Sequence, residues 1–145
     1  MNIQSLGHVV LKVRNQQRAE AFYNGVLGLP IVARLDKFGM TFFSLGNHHD
    51  FAVMAIGDDA EAPADRRPGL AHVAFKIGDS LDELRAAKAD LESAGITAHP
   101  IDHGVSQSLY FHDPDGNELE VYVDTSDAWK QRPELIAQVA PLELA

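Results

Sequence analysis

Apolar and polar residues alternate from His8 to Val13 (H-V-V-L-K-V), the two-residue period of a β-strand rich in branched side chains. His8, Val10 and Lys12 share one face, and Val9, Leu11 and Val13 share the other. The fully apolar face should pack on a helix. That helix is predicted next, because Ala19, Phe22, Tyr23, Val26 and Leu27 recur with helical spacing. Asn15 is its expected N-cap and Gly28 its stop. Ile31 to Leu35, Met40 to Leu45 and Phe51 to Ile56 then read as strands, with turns at Gly39 and Gly46. The first half is thus β-α-β-β-β.

Asp58 to Gly69 is polar, has two prolines and lacks periodicity, so it reads as a linker. The pattern then begins again. His72 to Ile77 (H-V-A-F-K-I) repeats the first strand at an offset of 64 residues, with a histidine first and a lysine fifth. Ser80 and Glu83 form a capping box ahead of a helix whose apolar stripe is Leu81, Leu84, Leu91 and Ala94, and Gly95 ends it. Strands follow at Ile96 to Ile101, Ser108 to Phe111 and Glu118 to Val123. The last two flank the turn Asp113-Pro114-Asp115-Gly116. The expected architecture is one α+β domain of two βαβββ modules, 6–57 and 70–124, joined by the linker 58–69 and followed by a tail, 125–145. Each module needs cover on the sheet face opposite its helix, which predicts a cupped sheet cavity with the helices outside. In the tail, Pro133 could open a short helix running to Val139.

Composition narrows the function. The 145 residues are 46% hydrophobic and 23% charged, as in an ordinary soluble protein, and the net charge of -9 disfavours nucleic acid as a partner. There is no cysteine, hence no thiolate ligand or thiol nucleophile. No apolar run is of membrane-spanning length, and Met1 to Gly7 has no signal-peptide pattern, so a cytoplasmic protein is expected.

The repeat also suggests chemistry. His8 and His72 stand at equivalent places on the non-helix faces of their strands. Glu118, Glu120 and Tyr122 share the corresponding face of the last strand. Two imidazoles and one of these carboxylates would make the facial triad of non-haem Fe(II) sites, and the same donors could hold Mn(II), Zn(II) or Ni(II). Periodicity alone does not choose between Glu118 and Glu120. Read blandly, each histidine is a hydrogen-bonded strand residue. His99 and His112 read as surface positions, and Lys12 and Lys76 as solvated strand ends.

From His8 to Asp124 the chain resembles the vicinal oxygen chelate superfamily, whose members pair βαβββ modules around a divalent metal. Ser108 to Tyr122 (S-L-Y-F-H-D-P-D-G-N-E-L-E-V-Y) is similar to the superfamily's last-strand motif, in which the glutamate four residues after the turn glycine is a ligand. That resemblance selects Glu120, with His8 and His72 as the module histidines. Within the superfamily the chain is most similar to extradiol, catechol 2,3-dioxygenase-like enzymes. In N-H-H-D-F-A-V-M, His49 matches the family's acid–base histidine, and Tyr110 matches a tyrosine that hydrogen-bonds a substrate oxygen. His103-Gly104 resembles the family's H-G substrate contact, although its spacing to the tyrosine is shorter here. Glyoxalase-type isomerases use a further glutamate from the strand Phe51 to Ile56, and this chain has none there.

The resemblance implies an Fe(II) enzyme, expected as a homodimer, that cleaves a small aromatic diol with O2. His49, Tyr110 and His103 would serve catalysis, and His8, His72 and Glu120 the metal. Ring-cleaving enzymes of this kind commonly carry two such domains, whereas this chain has one. The alternatives are another metal enzyme of the superfamily (isomerase, epimerase or thiol transferase) or a binding protein of the bleomycin-resistance kind that does no chemistry.

Overall fold

Strand β1 (Val9–Val13) runs parallel to β4 (Phe51–Ala55), and Val10 is in register with Ala52. β2 (Ile31–Leu35) and β3 (Met40–Phe43) complete a mixed sheet in the order β1-β4-β3-β2. The computed structural model describes residues Met1–Ala145. They form two compact units, Met1–Pro63 and Ala64–Ala145. The parting falls within the non-periodic stretch 58–69. No helix is long and apolar enough to cross a membrane.

In unit one, Leu11 and Val13 are buried while Val10 is exposed, as the alternation predicts. Asn15 caps α1 (Gln16–Glu20) by accepting the Arg18 N–H at 2.9 Å. The helix then differs from expectation, because Ala21–Val26 is a π-helical turn. The wider turn carries more residues per revolution and shifts the apolar stripe out of phase. Ala19, Phe22 and Tyr23 are buried, and Val26 is exposed. Tyr23 meets Phe51 and Phe43 with ring centroids 4.9 and 6.0 Å away, which makes an aromatic core under the sheet. Gly28, at φ 74°, then turns the chain out of the helix in a conformation that favours glycine.

Unit two repeats the topology. β5 (His72–Gly78) runs parallel to β8 (Glu118–Asp124), with β7 (Ser106–His112) and β6 (His99–Asp102) following. α2 (Leu81–Ser93) opens on the predicted capping box, with Ser80 and Glu83 bonded reciprocally. Leu84 and Leu91 are its buried residues, whereas Ala94 is exposed beyond its end. Leu109, Phe111, Leu119, Val121 and Val123 alternate along β7 and β8 and supply the core.

Several boundaries move: β3 ends at Phe43 rather than Leu45, and β7 begins at Ser106 rather than Ser108. His8 precedes β1, because the ladder begins with the Val9 N–H on the Asp50 carbonyl at 3.2 Å. Ile96 to Ala98 is not strand, since β6 starts at His99. In the tail, Pro133–Ile136 is a single 3₁₀ turn rather than a helix reaching Val139. The chain then extends into β9 (Ala140–Pro141), which pairs with β6 at the sheet edge. Lys76 is exposed, as expected, and is also ion-paired, with Asp79 at 2.6 Å and Asp124 at 2.9 Å.

Candidate functional site

The β7–β8 hairpin sets the site. Asp113 is buried in its turn, where one carboxylate oxygen accepts the N–H groups of Asp115 and Asn117 at 2.9 Å each. The other oxygen accepts the Asn117 side-chain amide at 2.9 Å. These bonds fix a register in which Tyr110 faces Glu120 across the ladder. The core residues of both strands occupy the odd-numbered positions, so Ser108, Tyr110, Glu120 and Tyr122 take the other face.

Glu120 is only 7% exposed, and a buried carboxylate needs partners. It has three. Ser108, itself fully buried, donates its hydroxyl to Oε1. His72 Nε2 stands 3.2 Å from Oε2. The Tyr110 phenol is also hydrogen-bonded to Glu120; its pKa is pushed up to about 12, by burial first and the Glu120 charge second. The His72 and Tyr110 rings meet edge to face, with centroids 5.3 Å apart.

Behind Tyr110 stands His103. Its Nε2 lies 3.0 Å from the phenol oxygen, and its Nδ1 lies 2.7 Å from the main-chain carbonyl of Gln138. The loop that carries it is braced from one side by Asp102 Oδ1, which accepts the Gly104 N–H at 2.7 Å and the Gln107 amide at 2.9 Å. A line of polar contacts therefore runs His72–Glu120–Tyr110–His103–Gln138.

Unit one gathers histidines instead. His8 precedes β1, and His48 and His49 lie in the loop before β4. The rings of His8 and His49 are 4.1 Å apart, and His48 Nδ1 is 2.7 Å from His49 Nδ1. Phe42 meets His49 edge to face at 5.3 Å. Burial lowers the His49 pKa, and the His8 and His48 charges lower it further against an opposing pull from Asp50.

The donor set of unit two suits a divalent ion in part. Two ligand atoms each about 2.1 Å from one ion and at right angles stand about 3.0 Å apart, close to the 3.2 Å between His72 Nε2 and Glu120 Oε2. Ser108 and Tyr110 hold the carboxylate as partners of a ligating group do. Within neither unit are three or more histidine, aspartate and glutamate side chains gathered closely enough to hold an ion. Unit two supplies His72 and Glu120, and unit one carries His8.

The structure thus brings together four of the six site residues expected from sequence, namely His72, Glu120, Tyr110 and His103. It brings His8 and His49 together separately. His99 and His112 are exposed, as expected. Two further participants were not anticipated. Strand alternation puts Ser108 on the Glu120 face, and that was the available signal. Gln138 acts through its main chain, which no side-chain pattern reports.

Residues 5–121 match the model of the Glyoxalase/Bleomycin resistance protein/Dioxygenase superfamily. Biphenyl-2,3-diol 1,2-dioxygenase 2 of Rhodococcus globerulus is 33% identical over 119 residues, 81% of this chain and 61% of that protein. The chain therefore spans about six tenths of that relative's length. Glutathione transferase FosA of Serratia marcescens is 30% identical over 122 residues, 83% of this chain and 82% of that protein. Among solved structures, a glyoxylase/bleomycin resistance protein/dioxygenase domain from Frankia sp. EAN1pec superposes with a TM-score of 0.71 at 22% identity, over 85% of this chain and 99% of that one, a likeness of fold. With its duplicated β-α-β-β-β topology and the match across 5–121, this chain belongs to the glyoxalase/bleomycin resistance protein/dioxygenase superfamily, the vicinal oxygen chelate proteins.

Proposed function

We propose that the chain is a non-haem Fe(II)-dependent extradiol dioxygenase that cleaves a catechol-type aromatic diol with O2. The observation that carries this reading is the polar line His72–Glu120–Tyr110–His103 on one sheet face. The 33% identity to a biphenyl-2,3-diol dioxygenase supports it. His8, His72 and Glu120 would hold the ion, with His8 contributed by the same chain or by the second copy in a cytoplasmic homodimer. When bound, Fe(II) (by donor type, alternatively Mn(II), Zn(II) or Ni(II)) would supply Lewis acidity that favours the diol anion, and proximity of diol to O2.

The chain's own residues do the rest. His49 accepts a diol proton at a ring nitrogen and returns it to the opened product, as general acid–base catalysis requires. The Tyr110 hydroxyl hydrogen-bonds a diol oxygen and orients the ring. His103 contacts the substrate beside it and holds that hydroxyl from behind. Met40, Phe42 and Met54, which are partly exposed, share the non-helix face of unit one's sheet and offer an apolar surface suited to an aromatic ring.

The test is anaerobic reconstitution of metal-free protein with Fe(II), followed by oxygen and a panel of catechols that includes 2,3-dihydroxybiphenyl. Oxygen uptake with a yellow ring-fission product is expected. Absence of both signals across the panel would overturn the reading. A second reading, metal-dependent thiol transfer, is favoured by the 82% of the FosA relative that the chain spans. Thiol consumption without oxygen uptake would select it.

A further inference from the structure

The tail is attached lightly to the sheet edge. β9 pairs with β6 through only two positions, Asp102 with Ala140 and Ile101 with Pro141. Val139 is 77% exposed. Arg85 Nε holds the chain end by donating to the Ala145 main-chain oxygen at 3.1 Å. Yet this light attachment sets the Gln138 carbonyl on His103. Gly104, next to His103, has a φ of 80° that favours glycine, and a Cβ there would meet the flexible end of the Gln138 side chain at 2.7 Å.

A carbonyl oxygen can only accept, so at 2.7 Å the His103 Nδ1 must carry the hydrogen. The bond made by one ring nitrogen decides the state of the other. In the neutral ring, Nε2 is then an acceptor aimed at the Tyr110 hydroxyl, 3.0 Å away, where it competes with Glu120 for the single phenol hydrogen. In the charged ring, Nε2 donates to the same oxygen and leaves the phenol proton free for another acceptor. Either way Nε2 stays with Tyr110. We propose that the C-terminal segment is a positioning element of the site, in which the Gln138 main-chain carbonyl fixes His103 as an Nδ1–H donor and commits Nε2 to the Tyr110 hydroxyl. The catalytic consequence rests on the dioxygenase reading, but the tautomer does not.

The tautomer can be read directly. Metal-free protein labelled with 15N-histidine is examined by NMR at about pH 8.5, where an ordinary imidazole is neutral, and His103 is assigned by comparison with His103→Gln. One Nδ1–H species is expected in the full chain. Truncation after Ala137 should move the tautomer ratio about fivefold or more toward Nε2–H, the worth of one ordinary hydrogen bond. An Nε2–H ring in the full chain, or an unchanged ratio in a folded truncated chain, overturns the proposal. If the truncated chain does not fold, the full chain still decides: a coupling across the hydrogen bond from His103 Nδ1 to the Gln138 carbonyl carbon supports the proposal, and its absence overturns it. With a diol that turns over, truncation should lower kcat/KM about tenfold, and combining it with Tyr110→Phe should give no greater loss than Tyr110→Phe alone. If no diol turns over, the dioxygenase reading falls while the tautomer experiment stands on its own.

Discussion

The two units share the order of four strands and the register of their central ladders, and they differ on one sheet face. In unit two, Tyr110 faces Glu120 and Ser108 faces Tyr122 across the last two strands. At the equivalent places in unit one, Phe42 faces Ala52 and Met40 faces Met54. The parallel ladders agree, because Ala74 pairs with Glu120 as Val10 pairs with Ala52. Four polar positions in one copy are therefore apolar in the other, while the helix-side cores remain alike in character. The scaffold is held by one face and can repeat; chemistry is written on the opposite face and has diverged. Unit one keeps its polar groups at the strand ends, in His8, His48 and His49.

The largest effect should come from exchanging the two equivalent residues. Glu120→Ala removes a proposed ligand, so metal affinity should fall by more than about 100-fold, with oxygen uptake lost alongside. Metal titration by calorimetry would show it. The reverse change, Ala52→Glu, puts a carboxylate at a fully buried position flanked by Phe42, where no serine or tyrosine hydroxyl answers it. Urea unfolding should show a loss of about 3 kcal/mol or more, the cost of an unpaired buried charge. If Ala52→Glu is tolerated and binds metal, the two faces are less different than the register implies.

Tyr110→Phe makes unit two resemble unit one at a single position. It should lower kcat/KM for diols by about 10- to 100-fold and stability by about 1 kcal/mol, since Glu120 and His103 each lose a partner. Phe42→Tyr adds a hydroxyl with no facing carboxylate and should change turnover only a few fold. Ser108→Ala acts more quietly. It removes one of the three groups that hold Glu120, so metal affinity should drop about tenfold. A wild-type affinity in Ser108→Ala would make that serine a packing residue only.

The parts of this arrangement that were legible in the sequence are those written locally. The repeated histidine-led strands, the Asn15 cap, the Ser80–Glu83 box and the Asp113 turn each depend on residues within a few positions of one another. Alternation placed Glu120 and Tyr110 on one face, and the last-strand motif chose Glu120 over Glu118. The π turn at Ala21–Val26 was not legible, because a slip of the backbone ladder leaves the side chains Ala19, Phe22 and Tyr23 looking like an ordinary stripe. The edge pairing of Ala140–Pro141 was hidden for a different reason. Two residues carry no period, and the group that matters at Gln138 is a carbonyl that every residue has.

The smallest effect concerns how each unit fastens its helix to its sheet or turn. At the end of α1, Glu20 is held by the Arg34 guanidinium, with bonds of 2.8 and 3.0 Å, and by the Thr41 hydroxyl at 2.6 Å. The Arg34 hydrogen bond is the main cause of its lowered pKa, and burial opposes it. In unit two, Glu83 is lowered chiefly by the Asp79 N–H and next by the Ser80 hydroxyl, at a fully exposed position. The sign is the same for both. A carboxylate whose folded pKa lies below its unfolded one adds stability above the ordinary carboxylate range, and loses it as pH falls through the folded pKa. Wild-type stability should therefore decline on acidification, and Glu20→Gln should flatten that decline. Arg34 is about half exposed, so the effect is modest and shrinks in salt. Glu83→Gln should flatten it less, because solvent screens that site and glutamine can still complete a capping box. Chemical denaturation from pH 7 down to about pH 3, spanning the carboxylate range, would rank the two variants. Equal flattening would mean that the exposed box in unit two is coupled to folding as strongly as the half-buried anchor in unit one.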